Sequence, residues 1–139
     1  MYIESVTVGS AVFNVVQASA VDQKSLLMLL GGKIAMHSAA GKVEEINTVM
    51  LKGALLTLPE DTLDKVAGIV LYKTVMNGSD QLVTVENFQG NINDYFTLIA
   101  EAVKVNLQDF FTWLDSENKA VRDQVTKSKL EAMSGNQAL

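Results

Sequence analysis

The sequence predicts an α+β fold, mostly helical, in which an N-terminal β-hairpin packs on four to five helices and a third short strand would widen the hairpin. Three observations predict it. Residues 2–16 alternate in β-branched residues around a Gly-Ser pair, the signature of a hairpin. From Ser19 onward apolar residues recur at steps of three and four, the period of a helix face. The chain has 139 residues, 48% hydrophobic and 19% charged, which suffices for one core without disulfides or metal. With no internal repeat and no long linker, we expect a single domain over 1–133 and a disordered tail over 134–139.

In the first strand Tyr2, Glu4, Val6 and Val8 alternate with Ile3, Ser5 and Thr7. Gly9-Ser10 supplies a two-residue turn of the Gly-X kind, and Ala11 to Val16 return with Phe13 and Val15 on one face. A lone hairpin is marginal in water, so this face must pack on helices. Ser19 with Asp22 three residues on opens a helix that we expect to end at Gly31-Gly32. Its last turn, Leu26, Leu27, Met28, Leu29 and Leu30, has no polar side, so it lies deep in the core or is covered by another chain. Residues 33–42 read as a short strand and a loop.

A helix is expected again from Val43, with Ile46, Met50 and Ala54 as its stripe and Glu44 and Glu45 in its first turn. Leu58-Pro59 ends it, and Pro59 enters the first turn of the next helix, lined by Leu63, Val66, Ala67, Val70 and Leu71. Residues 76–80 form a turn, and Leu82 to Val85 is the candidate third strand. The stretch from Phe88 to Leu114 holds six of the nine aromatic residues, the single tryptophan among them. Ile92, Phe96, Ile99, Val103, Leu107, Phe110 and Leu114 mark one face of a single long helix, with Tyr95, Phe111 and Trp113 off that stripe. After Leu114 the residues alternate in charge: Asp115 with Lys119 and Asp123 with Lys127 have the favoured i,i+4 polarity, and the apolar stripe thins to Val121, Val125 and Ala132.

Composition removes several classes of function. There is no cysteine, hence no disulfide, thiolate catalysis or cysteine zinc site. Net charge is −5 and basic residues are scattered, which gives no support to nucleic-acid binding. No apolar run is long enough to span a bilayer, and the opening MYIESVTV lacks the order of a signal peptide. The chain therefore reads as soluble and cytoplasmic, with no membrane partner.

His37 is the single histidine and has no nucleophile or orienting carboxylate nominated beside it. Gly31-Gly32-Lys33 lacks the spacing of a phosphate loop and follows a helix instead of preceding one. Glu60, Asp61 and Asp64 complement a helix N-terminus without any ligand. Asn77-Gly78-Ser79 reads as a turn. No catalytic, cofactor or metal set emerges, and we expect no enzyme. Phe110, Phe111 and Trp113 sit among Asp109, Asp115 and Glu117, an environment unsuited to stacking nucleic-acid bases. Neighbours on a helix differ by ~100°, so Phe110 and Phe111 cannot both face one core, and one of them or Trp113 is free for a partner or a second copy.

Two segments resemble the small phage tail assembly chaperones, whose genes precede the tape-measure gene in long-tailed phages. One is SAVDQKSLLMLLG, Ser19 to Gly31, after a short hairpin; the other is FQGNINDYFTLIAEAVKVNLQDFFTWLDSE, Phe88 to Glu117, where Asn106, Phe110 and Phe111 match a helix that ends in an aromatic cluster. The resemblance implies a non-enzymatic protein that binds the hydrophobic, helical tape-measure protein and keeps it soluble while tail-tube subunits polymerise around it. It implies action in the host cytoplasm and absence from the mature virion. The partners expected are the tape-measure protein, the tail tube protein and a second copy of the chain. In some relatives a frameshift adds a C-terminal domain, and the charged helix from Asp115 is a reasonable junction for one. A client-binding surface needs adaptable apolar side chains, and the candidates are Leu26, Met28, Leu29, Leu30, Tyr95, Phe111 and Trp113. The alternative is a structural tail or tail-completion subunit that builds a ring through the same surfaces.

Overall fold

The structure is a computed structural model and describes residues 2–40 and 47–137. Its element order is β1 (Ile3–Val8), β2 (Ala11–Val16), α1 (Ala20–Ala40), α2 (Thr48–Leu56), α3 (Glu60–Val70), β3 (Val75–Met76), a 3₁₀ turn at Val85–Phe88, α4 (Ile92–Asn106) and α5 (Gln108–Gln137). This is the α+β architecture expected, with a hairpin, a third strand and five helices among the described residues. The chain divides into two compact units, Met1–Gln108 and Asp109–Leu139.

In the first unit, β1 pairs antiparallel with β2 in the register Ile3↔Val16 to Val8↔Ala11, which leaves Gly9-Ser10 as the turn. Gly9 has φ +60° while Ser10 does not enter the positive region, the pattern of a type II′ turn, whose twist suits a hairpin. Val6, Val8, Phe13 and Val15 are buried on the face turned to the helices. The third strand is not Leu82 to Val85. Val75 and Met76 pair with Asn14 and Phe13, and Leu82 makes only a single bridge to Val75. The edge of β2 is therefore already filled by the segment before the turn, where Gly78 has φ +86°. The segment after it passes into the 3₁₀ turn, boxed by Thr84 and Asn87.

Helix α1 starts where expected, with the Asp22 amide donating to the Ser19 hydroxyl at 3.3 Å. It does not stop at Gly31-Gly32, and 33–40 are helical, not strand and loop. Two helical glycines cost about 2 kcal/mol relative to alanine. Continuing the helix places Ile34 in line with Leu26 and Leu30 on one fully buried stripe, and burying Ile34 alone contributes about 1.5–3 kcal/mol. The expected helix start at Val43, with Glu44, Glu45 and Ile46, lies outside the described residues. Within them α2 begins at Thr48, because Asn47 is extended and its side chain accepts from the Met50 amide at 2.9 Å. Pro59 stands just before α3 with ψ 150°, one residue outside the first turn, and Val66, Ala67, Val70 and Leu71 are buried as expected.

The single helix expected from Phe88 to Leu114 is broken. Phe88 belongs to the 3₁₀ turn, and α4 ends at Asn106, followed by Leu107 at φ −122°, ψ 31°. The cause is a polar joint. Asn106 is buried; its Oδ1 accepts from the Ala18 amide at 2.8 Å and its Nδ2 donates to the Ala102 carbonyl at 2.9 Å. Beside it, Gln17 Nε2 donates to the Val105 carbonyl at 3.0 Å. The link between β2 and α1 is thus clamped to the end of α4. From Leu98 to Asn106, α4 is buried on almost every side, with Leu98, Ile99, Ala100, Ala102 and Val103 fully so. Ile92, by contrast, is exposed at the start of the stripe.

In the second unit α5 continues through Gln137, into the stretch that reads as a tail. Its first turns hold the aromatic cluster, with Phe110 stacked on Trp113 at 5.9 Å between ring centroids and tilted against Phe111 at 5.8 Å.

Candidate partner-binding surface

Both faces of α1 are apolar. The inner one carries Leu26, Leu30 and Ile34. The outer one carries Val21, Ser25, Met28, Gly32 and Met36, steps of three and four that no charge interrupts. Val21 is 70% exposed, Met28 81% and Met36 70%, apolar side chains on the face that an amphipathic helix normally gives to polar residues. Isolated apolar residues on a surface are ordinary, but a continuous uncharged stripe along four turns of one helix is a candidate interface.

Next to this stripe, α1 and α3 enclose an open groove of about 560 Å³. Met28, Leu29 and Ile69 give it apolar walls, and the small residues Ser25 and Gly68 complete its lining. Three charged residues border it: Asp22, Lys24 and Lys65. A smaller groove, about 400 Å³, lies between the hairpin end and the segment before α4, where Met76, Leu82 and Phe88 face polar groups of Gln81, Asn87 and Asp94.

The seven residues expected at a partner surface fall into different settings. Met28 and Leu29 line the groove, Met28 almost wholly exposed. Leu26 and Leu30 are inside the core, out of reach of any partner while the fold is closed. Tyr95 is half-buried, with its ring 5.4 Å from Phe88 and 6.1 Å from Phe96; Phe88 in turn meets Phe13 at 6.0 Å, so this off-stripe aromatic is used within the fold. Burial, and then the nearby negative charge of Asp64, raises the Tyr95 hydroxyl above its ordinary pKa of 10.0. In the second unit Trp113 is 54% exposed and Phe111 is buried.

The structure adds residues that sequence reasoning missed: Val21 and Met36 on the outer stripe, and Lys65, Gly68 and Ile69 across the groove. Val21 already lies in the helix expected from Ser19, whereas Met36 joins the same face only because the helix continues past its glycines. The α3 residues had no such signal, because their place opposite Met28 depends on how two helices pack.

Among the described residues no group of three or more histidine, cysteine or acidic side chains could hold a metal ion, and no helix is long and apolar enough to cross a membrane. A family profile described as "Phage tail assembly chaperone protein, TAC" matches residues 7–119 of the 139. The chain belongs to this phage tail assembly chaperone family. The match runs from within β1 to the aromatic turns of α5, so it takes in the hairpin, the outer stripe of α1 and the groove. Membership implies protein partners in tail assembly. No curated protein and no solved structure matches the chain.

Proposed function

We infer that this tail assembly chaperone acts without catalysis, by laying the outer face of α1 against apolar helical segments of the tape-measure protein until the tube subunits replace it. The observation that carries this reading is the uncharged stripe Val21–Ser25–Met28–Gly32–Met36, exposed along a helix whose other face is already buried. A holding chaperone needs an accessible apolar surface that tolerates varied clients. Methionine suits that need because its unbranched thioether side chain adapts to many shapes. The Trp113 edge offers a second apolar contact on the other unit. Action in the host cytoplasm and absence from the finished virion follow from the same reading.

Co-expression with the tape-measure protein tests it. Leu29→Glu and Trp113→Glu should each keep the circular dichroism of the parent and lose co-purification of the tape-measure protein. Loss of the helical signal would assign the residue to the core. Mass spectrometry of purified particles separates this reading from that of a ring-forming tail subunit: a chaperone is absent from particles, whereas a structural subunit is present in many copies.

A further inference from the structure

We propose that the groove between α1 and α3 is a seat for one α-helix of the client, packed close over Gly68 and Gly32, with acidic residues placed to meet Lys24 of α1 and Lys65 of α3. This rests on the reading that the client is helical and bound at the α1 face, and it specifies the geometry and charge of that contact.

Two independent observations lead to it. The first is that the fold does not require either glycine. Gly32 and Gly68 are exposed within helices, and a Cβ added at either meets nothing within 4 Å. Each lowers helix propensity by about 1 kcal/mol relative to alanine, with no packing in the chain itself to compensate. A helix laid in a groove between two others approaches to 8 or 10 Å depending on the side chains at the crossing, and glycines favour the shorter distance. Gly68 lies in the groove between the apolar walls of Met28, Leu29 and Ile69, and Gly32 follows Met28 by one turn on the outer stripe.

The second is charge. The chain carries −5 overall, yet the groove is bordered by two lysines against one aspartate. Lys24 and Lys65 are exposed and neither is paired with a carboxylate among the described residues. An occupant with acids facing these two lysines would pair with both, and one with bases there would meet like charges, which selects by repulsion as well as attraction.

The test uses the full-length chain and two labelled 18-residue helical peptides with the same Leu/Ala stripe, one flanked by Glu and one by Lys, read by fluorescence anisotropy at low salt. The Glu-flanked peptide should bind at least tenfold more tightly. Lys24→Glu combined with Lys65→Glu should reverse the preference. Gly68→Leu should abolish binding while the circular dichroism stays unchanged, and the milder Gly68→Ala should raise Tm yet weaken binding. Equal affinity for the two peptides, or undiminished binding by a folded Gly68→Leu chain, overturns the groove assignment and leaves the family role standing. Loss of peptide binding by Gly68→Leu with the tape-measure protein still co-purifying also overturns the proposal, because the client then does not occupy the groove, and it leaves the outer stripe of α1 as the client contact.

Discussion

Helices α1 and α4 are both rich in apolar residues, and they use that surface differently. In α4 nearly every side chain from Leu98 to Asn106 is buried, and at its start Tyr95 contacts both Phe88 and Phe96. In α1 one stripe is buried and the opposite one remains in solvent. A surplus of hydrophobic residues therefore does not by itself mark an interface; what matters is whether the fold consumes it. The segment with the most aromatic residues is largely consumed, and the plainer methionine-bearing helix is the one with surface to offer.

The contrast can be broken by substitution, beginning with the largest effect. Ile99→Ala in α4 should cost about 2–5 kcal/mol of unfolding free energy in urea, the usual range for opening a cavity in a closed core. Met28→Ala in α1 should stay within about 0.5 kcal/mol of the parent, as for surface changes in general. Equal effects at the two positions would erase the distinction between the helices. Asn106→Ala comes next. It leaves the buried Ala18 amide without its acceptor, and we expect a loss of about 1–3 kcal/mol in the same titration. Gly32→Ala should act in the opposite sense and raise stability by up to about 1 kcal/mol, since no neighbour obstructs the new methyl group.

The smallest effect concerns pH. The Tyr95 hydroxyl has a raised pKa in the folded chain, so the neutral form is favoured there. As pH rises beyond 10 the unfolded chain loses that proton first, and stability falls as pH climbs towards the folded value. Below the ordinary value the contribution is fully present. Tyr95→Phe should flatten this alkaline decline, measured as Tm against pH, and leave the neutral range unchanged.

The hairpin was legible in the sequence because strand alternation and Gly9 together specify both period and turn. The break in the long aromatic segment was not legible. No glycine or proline marks Leu107; the helix ends because Asn106 bonds to Ala18, 88 residues away in sequence. The glycine pair in α1 misled for a related reason. Local propensity favours a stop there, but the burial of Ile34 outweighs it, and that burial depends on the rest of the fold. The third strand lies before the Asn77–Asp80 turn and not after it, because both flanking segments look equally strand-like and only pairing with β2 decides between them. Half of the candidate surface was accordingly visible, namely Met28 and Leu29 on one helix. The other half, Lys65, Gly68 and Ile69, depends on the packing of α3 against α1.

Hydrogen–deuterium exchange of the full chain, alone and in complex with the tape-measure protein, tests the central claim most directly. The account predicts slower exchange on complex formation along Val21–Met36 of α1 and around Gly68 of α3, with α4 from Leu98 to Val105 protected to the same degree in both states. Protection gained in α4, with none along α1, would contradict it.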